Sequence, residues 1–558
     1  VLQAAEDWLP SFQSLFNDAA LRESVSAQIQ EVFQQGAILA HHALRKQQNN
    51  TDWQDMLLSC IQSSRGSTIR AAFRDREAIR FAGVPDSLTA QGNELQRRLQ
   101  FVLARQQEDV DDDALRQLAL QQQGILQDWQ EYQQMLKNNY PQYFRTRYQR
   151  QSIRREELQR ELGTKDQVLA YFNLDSALLA VSLSKDVMMS NWLSMPTGWQ
   201  DSLSTYQQLM KSQREPSRQA SLGYFLYQHL WEPLAIPEQS TVKILADGPL
   251  HYLNFETLLT QEAGMQAEKQ PWPWLIREYC VYYGHSLEPQ VAFAAQRGGK
   301  VLGIAPGFSQ QLKNQYLENL PQRHTADSVF LNWLRTPWSL AFVNQLQEQG
   351  WGISMTEAAA TEQGFISEAP GADILHFGTH ARLENDRPLY SFLALTPEPG
   401  GEQDGYLHTY ELYSQPLQAQ LAVLTACETG LGEYRRGDGV LSLAHAFRYA
   451  GCPSVVYSLW SIDDQQSNEI IASFYENLRQ DMPYAEALRA AKLSYLDQHQ
   501  NGLQSPFYWA GLVLTGENTS YVSASFAYLY WLVGLLLVLA AVFVFSRQVR
   551  KKQPAEKN

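Results

Sequence analysis

Along the first 162 residues apolar side chains recur at spacings of three and four, as in VFQQGAILAHHAL at 32–44, and strand-like alternation is scarce. That spacing lines one side of a helix with apolar groups, so the segment reads as helical. From 99 to 162 the composition shifts to Gln, Arg, Glu and Leu, as in IRREELQREL at 153–162, which suits long helices packed in a hairpin or a short coiled coil. Gly163 supplies a stop signal. No 34-residue repeat keeps its signature positions, so any helical repeats are degenerate, and residues 1–165 read as a helical scaffold or docking region.

The period changes at Val168. The run VLAYFNLDSALLAVSLS (168–184) holds two strand-like segments about Asn173-Leu174-Asp175-Ser176, a hairpin signal. Residues 166–219 therefore read as a hairpin and linker helices, with helical character over 199–231. Beyond them, strand candidates at 242–246, 279–283, 301–305, 374–377, 392–396, 421–425 and 454–459 alternate with helices, notably 439–449 and 466–479. Short apolar strands alternating with helices predict an α/β domain with a mainly parallel sheet flanked by helices. In such sheets reactive groups collect beyond the carboxyl ends of the strands.

The last pattern is an uncharged stretch at 526–545, FAYLYWLVGLLLVLAAVFVF, followed by Arg547, Arg550, Lys551 and Lys552. Twenty helical residues span roughly 30 Å, the thickness of a bilayer core, and Tyr528, Tyr530 and Trp531 cluster at one end as interfacial aromatics do. The expectation is a single transmembrane helix. By the positive-inside tendency the basic tail 546–558 would be cytoplasmic and the rest extracytoplasmic, periplasmic in a double-membrane bacterium. The sequence begins at Val1, so it reads as a fragment or a processed form, in which a signal peptide would be invisible.

Composition narrows the function. A net charge of −14 argues against a nucleic-acid partner, which calls for a basic face. The four cysteines at 60, 280, 427 and 452 have no zinc-ligand spacing, and neither a metal nor a cofactor is implied. Two strand ends carry chemistry. In ADILHFGTHARLE (372–384), Gly378 lets the chain turn after the strand and His380 stands just beyond it, where an imidazole can act as a general acid–base. His376 competes, but it lies within the strand and suits a core position. In LAVLTACETG (421–430), Cys427 stands at the end of an apolar strand beside small Ala426 and ahead of Gly430, which leaves a substrate carbonyl room to approach the sulfur. Alone, such a cysteine is more often a small buried hydrophobe. His380 precedes it by 47 residues, close to the spacing of about fifty between the histidine and cysteine of caspases.

The segments HFGTHA, TACETG, GDGVLSLAHAFRYAGCPSVVYSLWSIDD and SPFYWAGLVLTG, with ILADGPLHYLNFETLL and LIREYCVYYGHSL upstream, resemble the CHAT domain, the caspase-like family related to separases, over about 220–517. The resemblance implies a caspase-like cysteine peptidase with a dyad of Cys427 and His380 and a protein or peptide substrate. It also implies an oxyanion held by the backbone N–H groups of Cys427 and Ala381, the latter standing where many relatives have Gly. In Ser458-Leu459-Trp460-Ser461-Ile462-Asp463-Asp464, Asp464, and next Asp463, match the acidic residue that meets a basic substrate side chain in separases. Asp464 equally suits the N-cap of the helix at 466–479, and both readings stay open.

Several other groups read as structural. GHSLE at 284–288 lacks the second Gly of a hydrolase elbow, His445 lies on an apolar helix face, Cys280 sits in an apolar strand and Cys452 precedes Pro453. Two functions remain: a membrane-anchored endopeptidase cleaving after basic residues, or a tethered interaction protein whose helical region binds a partner and whose peptidase fold is scaffold.

Overall fold

The computed structural model describes residues 19–66 except 48–49, scattered positions between 69 and 102, and much of 112–521. Within that last range it leaves out 142–143, 145–153, 175, 213, 263–271, 288–299, 322–326, 385–386, 400–402, 427–428, 431 and 436–438.

The strands are β1 (Asp166–Asn173), β2 (Ala177–Ser184), β3 (Met188–Ser194), β4 (Thr241–Leu245), β5 (Cys280–Tyr283), β6 (Val301–Ala305), β7 (Gly352–Thr356) and β8 (Ile374–Phe377). They continue with β9 (Ala381–Arg382), β10 (Phe392–Ala394), β11 (Tyr406–His408), β12 (Leu421–Leu424), β13 (Glu433–Arg435), β14 (Gly439–Leu441), β15 (Ser454–Ser458) and β16 (Leu512–Gly516). Eleven of them form one sheet in the order β3-β2-β1-β4-β5-β16-β15-β12-β8-β6-β7. The hairpin strands β1–β3 pair antiparallel and so do β15 and β16, while every other neighbouring pair in this sheet is parallel. Apart from the hairpin strands β2 and β3 at one edge, the sheet is therefore two parallel runs of opposite direction, β1-β4-β5-β16 and β15-β12-β8-β6-β7, which form two blocks that meet where β16 lies against β15.

Alternation along the strands builds a core on each face. Leu169, Leu178, Ile374, Leu421 and Val423 share one core with the helices Trp199–Ser212, Pro216–Leu230, Asp464–Arg479 and Tyr484–Gln498. Their strand neighbours turn the other way. Leu375, Phe377, Ala422 and Leu424 pack with Phe365, Leu412 and Phe447. Val168, Phe172, Leu179 and Val181 pack with Phe33, Ala37, Leu57 and Ile61. The helices Ala19–Lys46 and Thr51–Ser63 thus brace the first block of the sheet.

Local chemistry corrects three sequence expectations. The helical stretch expected at 199–231 is two helices, because Glu215 adopts a left-handed φ of 52° and Pro216 opens the second one, where its missing N–H costs nothing. The helix expected at 439–449 begins only at Leu443. The Ser442 hydroxyl caps it by accepting from His445 N, and residues 439–441 pair with β13 instead. The single-pass membrane topology, with its extracytoplasmic catalytic domain, is also corrected. Among the described residues no helix is long and apolar enough to cross a membrane. Ala19–Lys46 has 28 residues, ample length at 1.5 Å per residue, but Gln28, Gln30, Glu31, Gln34, Gln35, His41 and His42 make it too polar. The stretch 526–545 and the basic tail 546–558 lie outside the described residues.

A buried ion pair ties a turn of the first block to a helix near the chain's end. Lys492, on Tyr484–Gln498, donates to Glu256, and their side chains are 0% and 4% exposed. Asn254, beside Glu256, donates from Nδ2 to Ala510 O at 2.6 Å.

Candidate active site

Beyond Phe377 the chain is pinned before it reaches His380. A Cβ on Gly378 would stand 2.8 Å from Ser339 Cβ, so glycine permits the close approach of the helix Pro337–Glu348. The Thr379 hydroxyl donates to Ala394 O, and Ala394 N donates to His380 O at 2.8 Å. The half-buried His380 ring stacks on Trp333, with centroids 4.9 Å apart and planes 12° from parallel. Phe308 flanks it at 5.1 Å. His380 Nε2 lies 2.8 Å from Leu334 O. A carbonyl oxygen can only accept, so Nε2 carries the proton and the neutral ring keeps its lone pair on Nδ1. Burial lowers the imidazole pKa below the ordinary 6.5; the Leu334 carbonyl and the charge of Asp464 oppose this, and Lys313 adds to it. Lys313 is held nearby by donating from Nζ to Trp333 O at 2.6 Å.

The neighbouring strand brings up the second segment. β12 and β8 are parallel, with Leu424 the register partner of Phe377, and Thr425 donates from both N and Oγ1 to Phe377 O at 2.9 and 3.0 Å. Cys427 and Glu428 lie outside the described residues. Both flanks are held by Ser458, at the end of β15: its hydroxyl donates to Ala426 O and accepts from Thr429 N at 3.2 Å, while its carbonyl accepts from Gly430 N at 2.8 Å. Farther on, Tyr252 donates to Gly432 O and Tyr434 to Asp247 Oδ1, each at 2.8 Å, which anchors the β13–β14 hairpin to the first block. A cavity of about 580 Å³ opens beside Ala381, walled by Trp333, Tyr252, Gly432 and Trp460. Among the described residues no group of His, Cys, Asp and Glu side chains is placed to hold a metal ion.

The CHAT domain model matches residues 221–517, more than half of the chain. This chain belongs to the CHAT domain family. Similar proteins include tetratricopeptide repeat protein 28 of Mus musculus, 24% identical over 202 residues that make up 30% of this chain and 8% of that protein. The Homo sapiens protein of the same name is 26% identical over 242 residues, 36% of this chain and 9% of its own. The chain therefore spans less than a tenth of the length of these curated relatives. Two crystal structures of the Saccharomyces cerevisiae separase–securin complex align with TM-scores of 0.40 and 0.41 at 9% and 8% identity. They cover 73% and 89% of this chain and 34% and 37% of theirs.

Within the CHAT domain the two acidic candidates do different work. Asp463 is the N-cap of the helix Asp464–Arg479, accepting from Gln465 N and Gln466 N at 2.9 and 3.2 Å. Asp464 instead caps a second helix across the fold. Its carboxylate accepts from Trp338 N (2.9 Å), Ser339 N (3.2 Å), Ser339 Oγ (2.6 Å) and Asn468 Nδ2 (3.1 Å). The helix Pro337–Glu348 has no side-chain cap from its own N-cap residue, Thr336, so Asp464 supplies one. Asp464→Ala should lower stability by about 1–2 kcal/mol, as cap removal does, read from the denaturant midpoint. An unchanged midpoint would refute the capping account.

The remaining candidates are buried in CHAT-domain packing. His376 is 0% exposed, edge-on to Phe342 and Tyr475, and burial lowers its pKa to about 3. His445 Nδ1 lies 3.2 Å from the Tyr413 hydroxyl. Burial raises the Cys280 thiol and pushes Cys452 up to about 12, which disfavours the thiolate. Sequence reasoning missed Trp333 and the Leu334 carbonyl, which meet His380 from 47 and 46 residues away. A backbone acceptor leaves no signature in the residue types.

Proposed function

We propose that this CHAT protein is a cysteine endopeptidase in which His380 is the general base and Cys427 the nucleophile. One observation carries the reading: His380 and Cys427 each follow by three positions a pair of residues, Phe377 and Leu424, that are register partners on adjacent parallel strands. The free lone pair on His380 Nδ1 supports the same assignment. In the reaction, Nδ1 takes the thiol proton and the thiolate sulfur attacks the scissile carbonyl, whose oxygen gathers charge between the backbone N–H groups of Cys427 and Ala381. The imidazolium returns its proton to the leaving amine as the C–N bond breaks, and a thioester remains. Water, deprotonated by the same nitrogen, then releases the acid and restores the thiol.

A peptide electrophile should label the wild-type chain at Cys427 and leave Cys427→Ala unlabelled, as read by intact mass. The pH profile follows from the His380 shift. The base works only when neutral, and its pKa lies below 6.5, so labelling should hold on the acid side until pH falls through that lowered value. A folded chain that no electrophile labels would defeat the peptidase reading and leave an interaction protein built on the same fold.

A further inference from the structure

The cavity beside Ala381 is shared by both blocks of the sheet. The last turn of Trp199–Ser212, carrying Met210 and Lys211, lines it together with Trp333, Arg382 and Trp460. The charged groups among its described lining residues are Lys211 and Arg382, with no carboxylate among them. Arg382 is already neutralised, its Nε lying 3.0 Å from Glu384 Oε1. Lys211 is exposed and has no ion-pair partner among the described residues. Neither Asp463 nor Asp464 lines the cavity; each carboxylate caps a helix.

We propose that Lys211 is a specificity-determining residue and that this cleft takes a peptide segment carrying an Asp or Glu side chain, with the carboxylate on the Lys211 ammonium and neighbouring apolar groups on Trp333 and Trp460. This rests on the peptidase reading for its catalytic meaning, because the cleft adjoins His380. A lysine offers three donors on a flexible stem and so accommodates a carboxylate without fixed geometry. Aromatic walls exclude part of the water that weakens such pairs on an open surface. Among the described lining residues a basic side chain would find no carboxylate. The pair remains partly solvated, so added salt should weaken it.

The test uses the full chain and fluorescein-labelled peptide pools that differ at single positions by Glu, Gln or Lys, read by anisotropy. At one position Glu should bind about 5–10-fold more tightly than Gln, and Lys more weakly, a difference of about 1–1.4 kcal/mol. The preference should vanish in Lys211→Met, invert in Lys211→Glu and narrow at 0.5 M salt, a concentration that cuts the screening length to roughly 4 Å. Electrophilic versions of the same pools should label Cys427 in the same order. Acidic preference that depends on Lys211, without any labelling, sinks the peptidase reading and leaves this inference standing. Labelling with no acidic preference at any position, or with one that survives Lys211→Met, overturns the inference and leaves the peptidase reading intact.

Discussion

His380→Ala is expected to slow Cys427 acylation by about 10²–10⁴-fold, the usual contribution of a positioned acid–base group, while the chain stays folded. The ring sits past the end of β8, half-buried, and among the described residues its aromatic neighbours are Trp333 and Phe308. Loss of a ring at the mouth of a cleft takes little from the sheet beneath it. His376→Leu makes the informative contrast. Neither ring nitrogen of His376 has a hydrogen-bond partner among the described residues, and its surroundings are Phe342 and Tyr475. An apolar side chain of similar size removes two unpaired polar atoms from the core, so stability should hold or rise, and acylation should stay within a few-fold of wild type. Comparable losses of activity in the two variants, both folded by circular dichroism, would mean that the wrong histidine has been assigned.

The largest stability effect is expected at Lys492. With side-chain exposures of 0% and 4%, the Lys492–Glu256 pair is sealed from water. Lys492→Met leaves the Glu256 carboxylate buried without its cation, and breaking such a pair from one side costs about 3–5 kcal/mol. The Asn254 amide, which still reaches Glu256 Oε2 at 3.4 Å, cannot replace a full charge. Lys492→Met combined with Glu256→Gln should recover most of the loss, since two neutral groups then face one another. Urea midpoints of the two variants decide it. A single variant as stable as wild type would show that water or another cation reaches Glu256.

How legible was this in the residues themselves? Strands β6, β8, β12 and β15 stood out because both of their faces are buried, which writes each one as a short unbroken apolar run. The edge strands β3 and β7 did not. In MMSNWLS only Leu193 is fully buried, and in GISMT only Met355, so nothing separates them from loop. β16 was noticed as part of a motif, without a hint that it would pair with both β15 and β5. At the site, His380 could be singled out because a glycine turn after an apolar strand has one obvious consequence. The role of Asp464 was hidden, since the helix it caps begins 127 positions earlier, at Pro337, and an Asp next to Asp463 looks the same whichever helix it serves. The cleft was hidden for a similar reason, being assembled from segments near 210, 252, 333, 381 and 460.

The seam at β16 has a consequence for how the protein is made. Strand β16 is the last of the sheet in sequence and lies between β5 and β15, near its centre. Until residues 512–516 have left the ribosome, the two blocks have no strand to join them, and each displays a bare row of peptide groups toward the other. The cavity wall carrying Lys211 belongs to one block and the wall carrying Ala381 to the other, so a nascent chain has no finished cleft. Synthesis thus supplies its own timer, because the pocket that would hold a peptide comes together only after the central strand is laid in.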